Sequence, residues 1–271
     1  MTVKPEGRKP GDGMGDGLPV LDITVANPAR VWDYWLRGKD NFAADREAAH
    51  RVLEVLPSMP EAARRCREFL ALSVHKLAAD YGIRQFLDIG TGLPTAGNTH
   101  EVAQQAAPSS RIVCVDFDPV VATHARALLT SHPEGKTHFV QADLRDTEAI
   151  LSEAAATLDF SRPTGVVLTS VLHFIPEADD PYRLVGRLMD AVPSGSFLVI
   201  LHGASDVHAD TVAEGTRRYN ELSSAPLAFR SREQVMRFFD GLEILDTGEG
   251  PGLVSQAGHG QPSYYGIGRK P

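Results

Sequence analysis

Two acidic residues and a pair of glycines are spaced as if to hold a small ligand. Asp88 stands near the end of the apolar segment 85–89 and is followed by Gly90-Thr91-Gly92, while Asp116 ends the apolar segment 112–115. Glycines let the backbone approach a ligand where a Cβ atom would collide. A carboxylate after a second strand can accept both hydroxyls of a ribose, and a buried carboxylate needs a positive or hydrogen-donating partner. These residue types predict a nucleoside ligand with a cationic end.

The glycine turn departs from the pattern that binds dinucleotides. Thr95 replaces the third small residue of G-x-G-x-x-G/A, and Pro94 removes an N–H group from a cradle for pyrophosphate. A nicotinamide-dependent oxidoreductase is therefore disfavoured, and a nucleoside without phosphates is favoured. S-adenosyl-L-methionine has this chemistry. The alternative is a structural turn between a strand and a helix, in which Asp88 only caps the helix.

A histidine after the fourth apolar segment is the candidate for catalysis. Methyl transfer from a sulfonium is an in-line displacement, which needs a base only when the acceptor must lose a proton. His173 has a suitable unperturbed pKa of about 6.5, and the alternative is that it packs without transferring a proton. Ser170 either touches the cofactor or satisfies a backbone group. His202, His208 and Asp210 match no metal-ligand spacing and are interpreted as a solvated loop, so no metal site is predicted.

The elements that must position these residues follow from the hydrophobic pattern. Short apolar segments alternate with helical patterns, which predicts a mostly parallel sheet covered on both faces. The predicted strands lie at 85–89, 112–115, 138–141, 166–171, 197–201, 242–245 and 263–268. The predicted helices between them lie at 98–107, 119–131, 147–158, 181–192 and 231–239. The fold class is thus α/β, a Rossmann-like, doubly wound and mostly parallel seven-stranded sheet.

Three more helices are predicted ahead of the sheet, over 29–36, from 40–41 to 54, and over 61–80. They form an N-terminal helical extension at 21–82, which follows a flexible Gly- and Pro-rich tail at 1–20. A helical extension above the site would exclude water and shape an acceptor pocket. The candidates for this lid and substrate role are Tyr34, Arg37, Lys39 and Asp40. The alternative is a surface helix whose Trp32 and Trp35 pack against the body of the protein.

Other polar residues of the chain are assigned structural roles. Arg64, Arg65 and Arg67 predict a solvated face of the third helix. Cys66 lies on the apolar side of that helix and Cys114 lies within a strand, so both are predicted to be core residues.

Together the motifs resemble those of class I S-adenosylmethionine-dependent methyltransferases. The matching segments are Asp88-Ile-Gly-Thr-Gly92, Asp116, Gln141-Ala-Asp143-Leu144, the segment 169–176 and Pro193-Ser-Gly195. The resemblance implies a methyltransferase domain at 83–271. It places Asp143 at the exocyclic amine of the adenine and the N–H group of Leu144 beside the same ring. The residues assigned to the cofactor are Asp88, Gly90, Thr91, Gly92, Asp116, Phe117, Asp143, Leu144 and Ser170.

A closer resemblance spans nearly the whole predicted ordered chain. The segments 27–34, 38–42 and 86–95 look like those of an actinobacterial family known only as S-adenosyl methyltransferases. This resemblance implies a cofactor but specifies no acceptor.

Composition limits the partners and the compartment. The 271 residues carry a net charge of -8 and two cysteines, which argues against a nucleic-acid footprint and against a secreted disulfide framework. No apolar run is long enough to cross a bilayer. We therefore expect a cytoplasmic methyltransferase with a small-molecule acceptor, bound neither to nucleic acid nor to a membrane, and with its oligomeric state open. The alternative is a non-catalytic sensor that binds S-adenosylmethionine or S-adenosylhomocysteine.

Overall fold

The computed structural model describes residues 22–94, 97–246, 254–255 and 262–271. The predicted flexible tail at 1–20 and the predicted role of Thr95 lie outside the described residues. Within them, no helix combines the length and the apolar character needed to span a membrane.

Within the described ranges, eight strands form one central sheet. In chain order they are β1 (Gln85–Ile89), β2 (Arg111–Asp116), β3 (Lys136–Gln141), β4 (Gly165–Thr169), β5 (Phe197–Gly203), β6 (Glu243–Ile244), β7 (Val254–Ser255) and β8 (Ser263–Arg269). Their spatial order is β3-β2-β1-β4-β5-β8-β6, and β7 pairs with β8 outside this path. Strands β1 to β5 are parallel, whereas β8 runs antiparallel to β5 and β6. The predicted Rossmann-like, mostly parallel fold is confirmed, and the short β7 is an addition to the seven predicted strands.

The parallel strands are buried because helices cover both faces of the sheet. Leu87 and Ile89 of β1 join one apolar cluster, while Phe86 joins the cluster on the opposite face. A continuous apolar strand such as β5 is stable only in this double-sided environment. The described helices are α1 (Pro28–Trp35), α2 (Ala43–Leu53), α3 (Met59–Ala79), α4 (Thr99–Ala106), α5 (Pro119–Leu128), α6 (Thr147–Ala154), α7 (Pro181–Asp190), α8 (Ala209–Asn220) and α9 (Arg232–Met236).

Helix α8 corrects one interpretation of the sequence. The spacing of His202, His208 and Asp210 predicts a solvated loop, but His202 is wholly buried in β5. His208 precedes α8 as its N-cap residue, and Asp210 lies in the first turn of that helix. The sequence does not mark this helix strongly, because most of its residues are polar and its buried face carries only Val212, Gly215 and Tyr219.

The N-terminal helices are joined to α8 across most of the chain. An apolar cluster unites residues of α1, α2 and the start of α3 with Tyr219 of α8. The N–H group of Ser224 donates to the carbonyl oxygen of Ala26 at 3.1 Å. Beneath them, Arg30 and Asp45 form a buried ion pair with 3.3 Å between Nε and Oδ1. These contacts fix α1 beside the edge of the sheet where β1, β2 and β4 end.

Candidate functional site

A cavity of about 300 Å³ lies at the carboxyl ends of β1, β2 and β4. Ligands bind at this edge in open α/β sheets, and the volume is at the lower end of the range of small-molecule sites. Helix α1 and its C-cap residue Leu36 contribute one wall, with Pro28, Ala29, Trp32 and Asp33 as the helical residues. The structure brings together around it all nine residues predicted for the cofactor: Asp88, Gly90, Thr91, Gly92, Asp116, Phe117, Asp143, Leu144 and Ser170.

The glycine turn after β1 requires glycine at both positions. Gly90 and Gly92 have φ angles of +77° and +68°, a left-handed conformation that other residues rarely adopt. A Cβ atom on Gly90 would lie 2.6 Å from the Cβ atom of Val171. A Cβ atom on Gly92 would meet nothing within 4 Å, so it would occupy open space at the cavity wall. The turn therefore exposes backbone to the cavity where a side chain would fill it.

Asp88 is buried at the end of β1, with 3% of its surface exposed. The hydroxyl of Thr91 donates to its Oδ2 atom at 3.0 Å. Burial raises the pKa of Asp88, while the hydroxyls of Thr99 and Thr91 and the nearby charge of Arg67 oppose that rise. Two hydroxyl donors and a nearby cation thus favour the ionised carboxylate.

Arg67 corrects a second interpretation. It was assigned to a solvated face of α3, but it lines the cavity, and its Nη2 atom donates to Oδ1 of Asn98 at 2.7 Å. Arg64, in contrast, is exposed as predicted. A signal for the inward position existed, because Arg67 lies one turn after the buried Ala63 and one turn before the buried Leu70.

Asp116 is the second buried carboxylate of the site. Its Oδ2 atom accepts the N–H group of Gly92 at 2.9 Å, and its Oδ1 atom accepts that of Asp118 at 3.0 Å. Burial raises the pKa of Asp116 to about 6, although these two hydrogen bonds oppose the rise. Because each carboxylate oxygen has a second lone pair, the group can still accept two hydroxyls.

The segment after β3 also lines the cofactor cavity. Asp143 pairs with Arg145, with 2.8 Å between Oδ2 and Nη1, and Arg145 also pairs with Asp179. Leu144 is buried beside them. The sequence left open that this segment is only a helix-start turn, and the structure gives that capping role to Asp146, whose side chain accepts the N–H group of Ala149. Arg145 also lines the cavity, although no sequence motif marks it.

The segment after β4 carries Ser170 and His173. Ser170 has a left-handed φ of +60° and lines the cavity, while its N–H group donates to the carbonyl oxygen of Leu201 at 2.9 Å. His173 is buried and lines a second, smaller cavity of about 40 Å³. Burial, followed by the charges of His202 and Arg230, lowers the pKa of His173 well below 6.5. The imidazole is therefore neutral at physiological pH.

Arg230 fixes this segment and was not identified from the sequence. The side chain is buried, and it donates to the carbonyl oxygens of Leu172 at 2.9 Å and Ile175 at 2.7 Å. Its Nη1 atom is 2.9 Å from Nε2 of His202, and its Nε atom pairs with Glu177 at 2.8 Å. Nothing in the local sequence marks this residue, because all of these partners are distant along the chain.

The four residues predicted for the lid and substrate do not line either cavity. The Oη atom of Tyr34 lies 2.6 Å from Nε2 of His50, and Arg37 and Lys39 are exposed. Asp40 lies 3.9 Å from His124, on the side of α5. The segment that carries Asp40 binds Asp33 instead. The Oδ2 atom of Asp33 accepts the N–H group of Asp40 at 2.9 Å and the side-chain amide of Asn41 at 2.8 Å. The turn after α1 thus holds a buried carboxylate of the cavity wall.

Known proteins resemble the chain over nearly its whole length. A family model described as S-adenosyl methyltransferase matches residues 16–262. A DUF574 family protein from Streptomyces avermitilis is 37% identical, with a TM-score of 0.86 over 92% of this chain and 99% of that one. A methyltransferase candidate from Thermobifida fusca is also 37% identical, with a TM-score of 0.81 over 93% and 97% of the two chains.

A more distant structure shares the fold alone. The N-methyltransferase NodS from Bradyrhizobium japonicum, in complex with S-adenosyl-L-homocysteine, is 14% identical. Its TM-score is 0.50 over 84% of this chain and 97% of that one. No curated protein matches the sequence.

Proposed function

The chain belongs to the S-adenosyl methyltransferase family, and from this membership we propose that it methylates a small-molecule acceptor. S-adenosyl-L-methionine is the cofactor of this family. The observation that carries the proposal is the cavity of about 300 Å³, which gathers the glycine turn and four acidic residues at one edge of the sheet.

The residues present fit this cofactor. The left-handed Gly92 leaves open space at the cavity wall, which suits close approach of a ligand to the backbone. Asp116 offers two carboxylate oxygens to the ribose, and Asp143 with Leu144 offers an acceptor and an N–H group to the adenine. Asp88 suits the positively charged amino group of the methionine part, since a buried carboxylate is stabilised by a cation.

The cofactor supplies a methyl group on a positively charged sulfur, which is electrophilic without further activation. The protein's own contribution is to position, to exclude water and to accept a proton. Helix α1 closes one side of the cavity, and its buried Trp35 ties it to the apolar cluster. We assign His173 the role of base, because its imidazole is neutral and its buried Nδ1 atom has no hydrogen-bond partner among the described residues. Burial and the nearby charge of Arg230 make it a weak base, so it suits an acceptor hydroxyl that loses its proton while the methyl group is transferred.

Size and charge support a small acceptor. The cavity lies between α1 and the sheet, and the net charge of -8 disfavours a polyanion such as nucleic acid. A long chain threading through such a cavity would need a groove across the surface. A small molecule needs only the cavity itself.

The cofactor site is tested by calorimetric titration with S-adenosylmethionine, S-adenosylhomocysteine and NADH. We expect both adenosyl ligands to bind the wild type, NADH not to bind, and Asp116→Ala to bind S-adenosylhomocysteine at least about tenfold more weakly, the equivalent of ~1.4 kcal/mol. The matched control is Asp190→Ala, which removes an exposed carboxylate at the end of α7. A folded wild type that binds neither adenosyl ligand would refute the proposal.

Turnover distinguishes an enzyme from a sensor. Release of S-adenosylhomocysteine is measured with a panel of phenols, amines and carboxylic acids. Release with any member, lost in His173→Gln but with cofactor affinity retained, supports the enzyme and the base. Tight cofactor binding without release from any acceptor favours the sensor.

A further inference from the structure

A second cavity of about 40 Å³ adjoins the cofactor cavity. That volume is several times the ~10–15 Å³ that a single water molecule requires. The two cavities have five lining residues in common: Pro28, Trp32, Cys66, Ser170 and Phe174. A group in the second cavity would therefore contact residues that also line the cofactor cavity.

Aromatic rings dominate the wall of the second cavity. They are Trp32, Trp35, His173, Phe174, Tyr219 and Phe229. Rings pack favourably against other rings, in stacked or edge-to-face arrangements, and such a wall favours a flat apolar occupant.

None of the described residues that line this cavity is charged at neutral pH. Burial lowers the pKa of His173 well below its usual value, so the imidazole is neutral. Burial raises the pKa of the Cys66 thiol to about 12 and also raises that of Tyr219, so neither is ionised. An ionised ligand would lose its hydration here and gain no opposite charge. The wall thus selects against carboxylates and phosphates.

Four polar atoms of this wall lack hydrogen-bond partners among the described residues. They are Nε1 of Trp35, Oγ of Ser170, Nδ1 of His173 and Oη of Tyr219, and all four are buried. A buried polar atom without a partner is costly, by roughly 1–3 kcal/mol. The indole N–H can only donate, while a neutral imidazole nitrogen either donates or accepts. A hydroxyl does both and can therefore satisfy either nitrogen atom.

We propose that the second cavity binds the reacting end of the acceptor, and that this end is an uncharged aromatic ring bearing a hydroxyl. The assignment rests on the proposed function, since it names the substrate class of the same site. A phenol combines the three properties that the wall demands: a flat ring, no charge, and one group that donates and accepts a hydrogen bond.

The two tryptophans make the cavity directly observable. Trp32 and Trp35 are the only tryptophans of the sequence, and both line the second cavity. We would excite them at wavelengths that the probes do not absorb and titrate p-cresol, with 4-methylbenzoate as the charged analogue of the same ring. Both titrations are made with and without saturating S-adenosylhomocysteine, whose own binding is measured by calorimetry.

We expect saturable quenching by p-cresol, and binding of 4-methylbenzoate that is at least about tenfold weaker, because its carboxylate would be buried without a partner. Equal or tighter binding of 4-methylbenzoate would overturn the assignment. So would the absence of a p-cresol response in protein that binds S-adenosylhomocysteine. Failure to bind S-adenosylhomocysteine counts instead against the proposed function, so the two failures are distinguishable.

A variant that fills the second cavity tests whether p-cresol binds there. Ala62 lines the second cavity but not the first, so Ala62→Leu should fill it and weaken p-cresol binding by at least about tenfold, while S-adenosylhomocysteine affinity stays within about twofold. The matched control is Ala79→Leu, the same change at an exposed position of the same helix. Unchanged p-cresol affinity in Ala62→Leu would refute the location.

A second variant covers the case in which Ala62→Leu does not fold. Trp35→Phe keeps an aromatic ring and removes the unpartnered N–H group, and Trp32 remains as the fluorescent reporter. We expect about a threefold to tenfold loss of p-cresol affinity, with toluene affinity unchanged because toluene has no hydroxyl. An equal loss of affinity for both probes would show that the ring packs against Trp35 without a hydrogen bond to its N–H group, and would refute the proposed role of the hydroxyl.

Discussion

Replacing Asp116 by asparagine should change how stability depends on pH by an amount that the structure sets. Burial raises the pKa of this carboxyl from 3.8 to about 6. The folded state therefore favours the protonated form, and each pKa unit corresponds to about 1.4 kcal/mol. Ionised Asp116 consequently lowers the free energy of unfolding by roughly 3 kcal/mol when both folded and unfolded chains are fully ionised.

The sign follows from the direction of the shift. Below about pH 4 the group is protonated in both states and has no effect. As the pH rises from about 4 to 6, the unfolded chain loses its proton first, so the folded state loses stability, and above about pH 6 the loss is complete. Between pH 5 and pH 8 the wild type should lose about 1.5 kcal/mol relative to Asp116→Asn.

Urea denaturation of both proteins at several values of pH between 5 and 8 measures this difference. The absolute stability of Asp116→Asn also reflects altered hydrogen bonds to the N–H groups of Gly92 and Asp118, but those bonds do not depend on pH. Subtracting the free energy of unfolding of one protein from that of the other removes the contributions of titrating groups that the two proteins share. Asp190→Asn is the control and should follow the wild type at every pH. A constant difference between wild type and Asp116→Asn would refute the argument.

The remaining predictions concern binding and stability. S-adenosylhomocysteine should bind the wild type about tenfold more weakly at pH 5 than at pH 8 in calorimetry, because only about a tenth of Asp116 is ionised at pH 5 when its pKa is about 6; an identical pH dependence in Asp116→Asn would contradict this. Gly92→Ala should cost about 1 kcal/mol in urea denaturation and weaken S-adenosylhomocysteine binding, whereas Gly90→Ala should cost about 3 kcal/mol because its Cβ atom meets Val171; equal costs would show that the turn relaxes. Asp45→Asn should cost about 3 kcal/mol in urea denaturation, because it removes the carboxylate that neutralises the buried Arg30; a cost below about 1 kcal/mol would refute the ion-pair explanation.

The sheet and the cofactor were predictable because their signals are local. The segments around Asp88 and Asp116 combine an apolar strand, an acid at its end and, after the first, two glycines, and each feature is visible within ten residues. The parallel fold and S-adenosyl-L-methionine are confirmed by the structure and by the family relationship. The contacts of the nine residues with that cofactor stay predictions, although the structure places all of them around one cavity.

The residues that the sequence did not reveal act across long distances. Arg230 holds carbonyl groups more than fifty positions away, and Arg67 faces a strand that follows it by some twenty residues. Polar side chains in such positions look like solvated residues when only their neighbours are considered. For the four lid candidates the error is the reverse: a local pattern suggested a role at the cavity, but the structure places these residues outside its lining. Their cluster of polar residues suggested a binding loop, but the turn is used to hold Asp33.

The link between the first helices and α8 has a consequence for biosynthesis. The hydroxyl of Ser224 donates to the carbonyl oxygen of Ala26, which precedes it by 198 residues. A ribosome therefore releases α1 and α2 long before the helix that covers their apolar cluster exists. The wall of the cofactor cavity that α1 provides can be completed only after α8 has been translated. The five parallel strands β1 to β5 are synthesised before that point and the antiparallel strands β6 to β8 after it, so the parallel part of the sheet can form before the ligand site is complete.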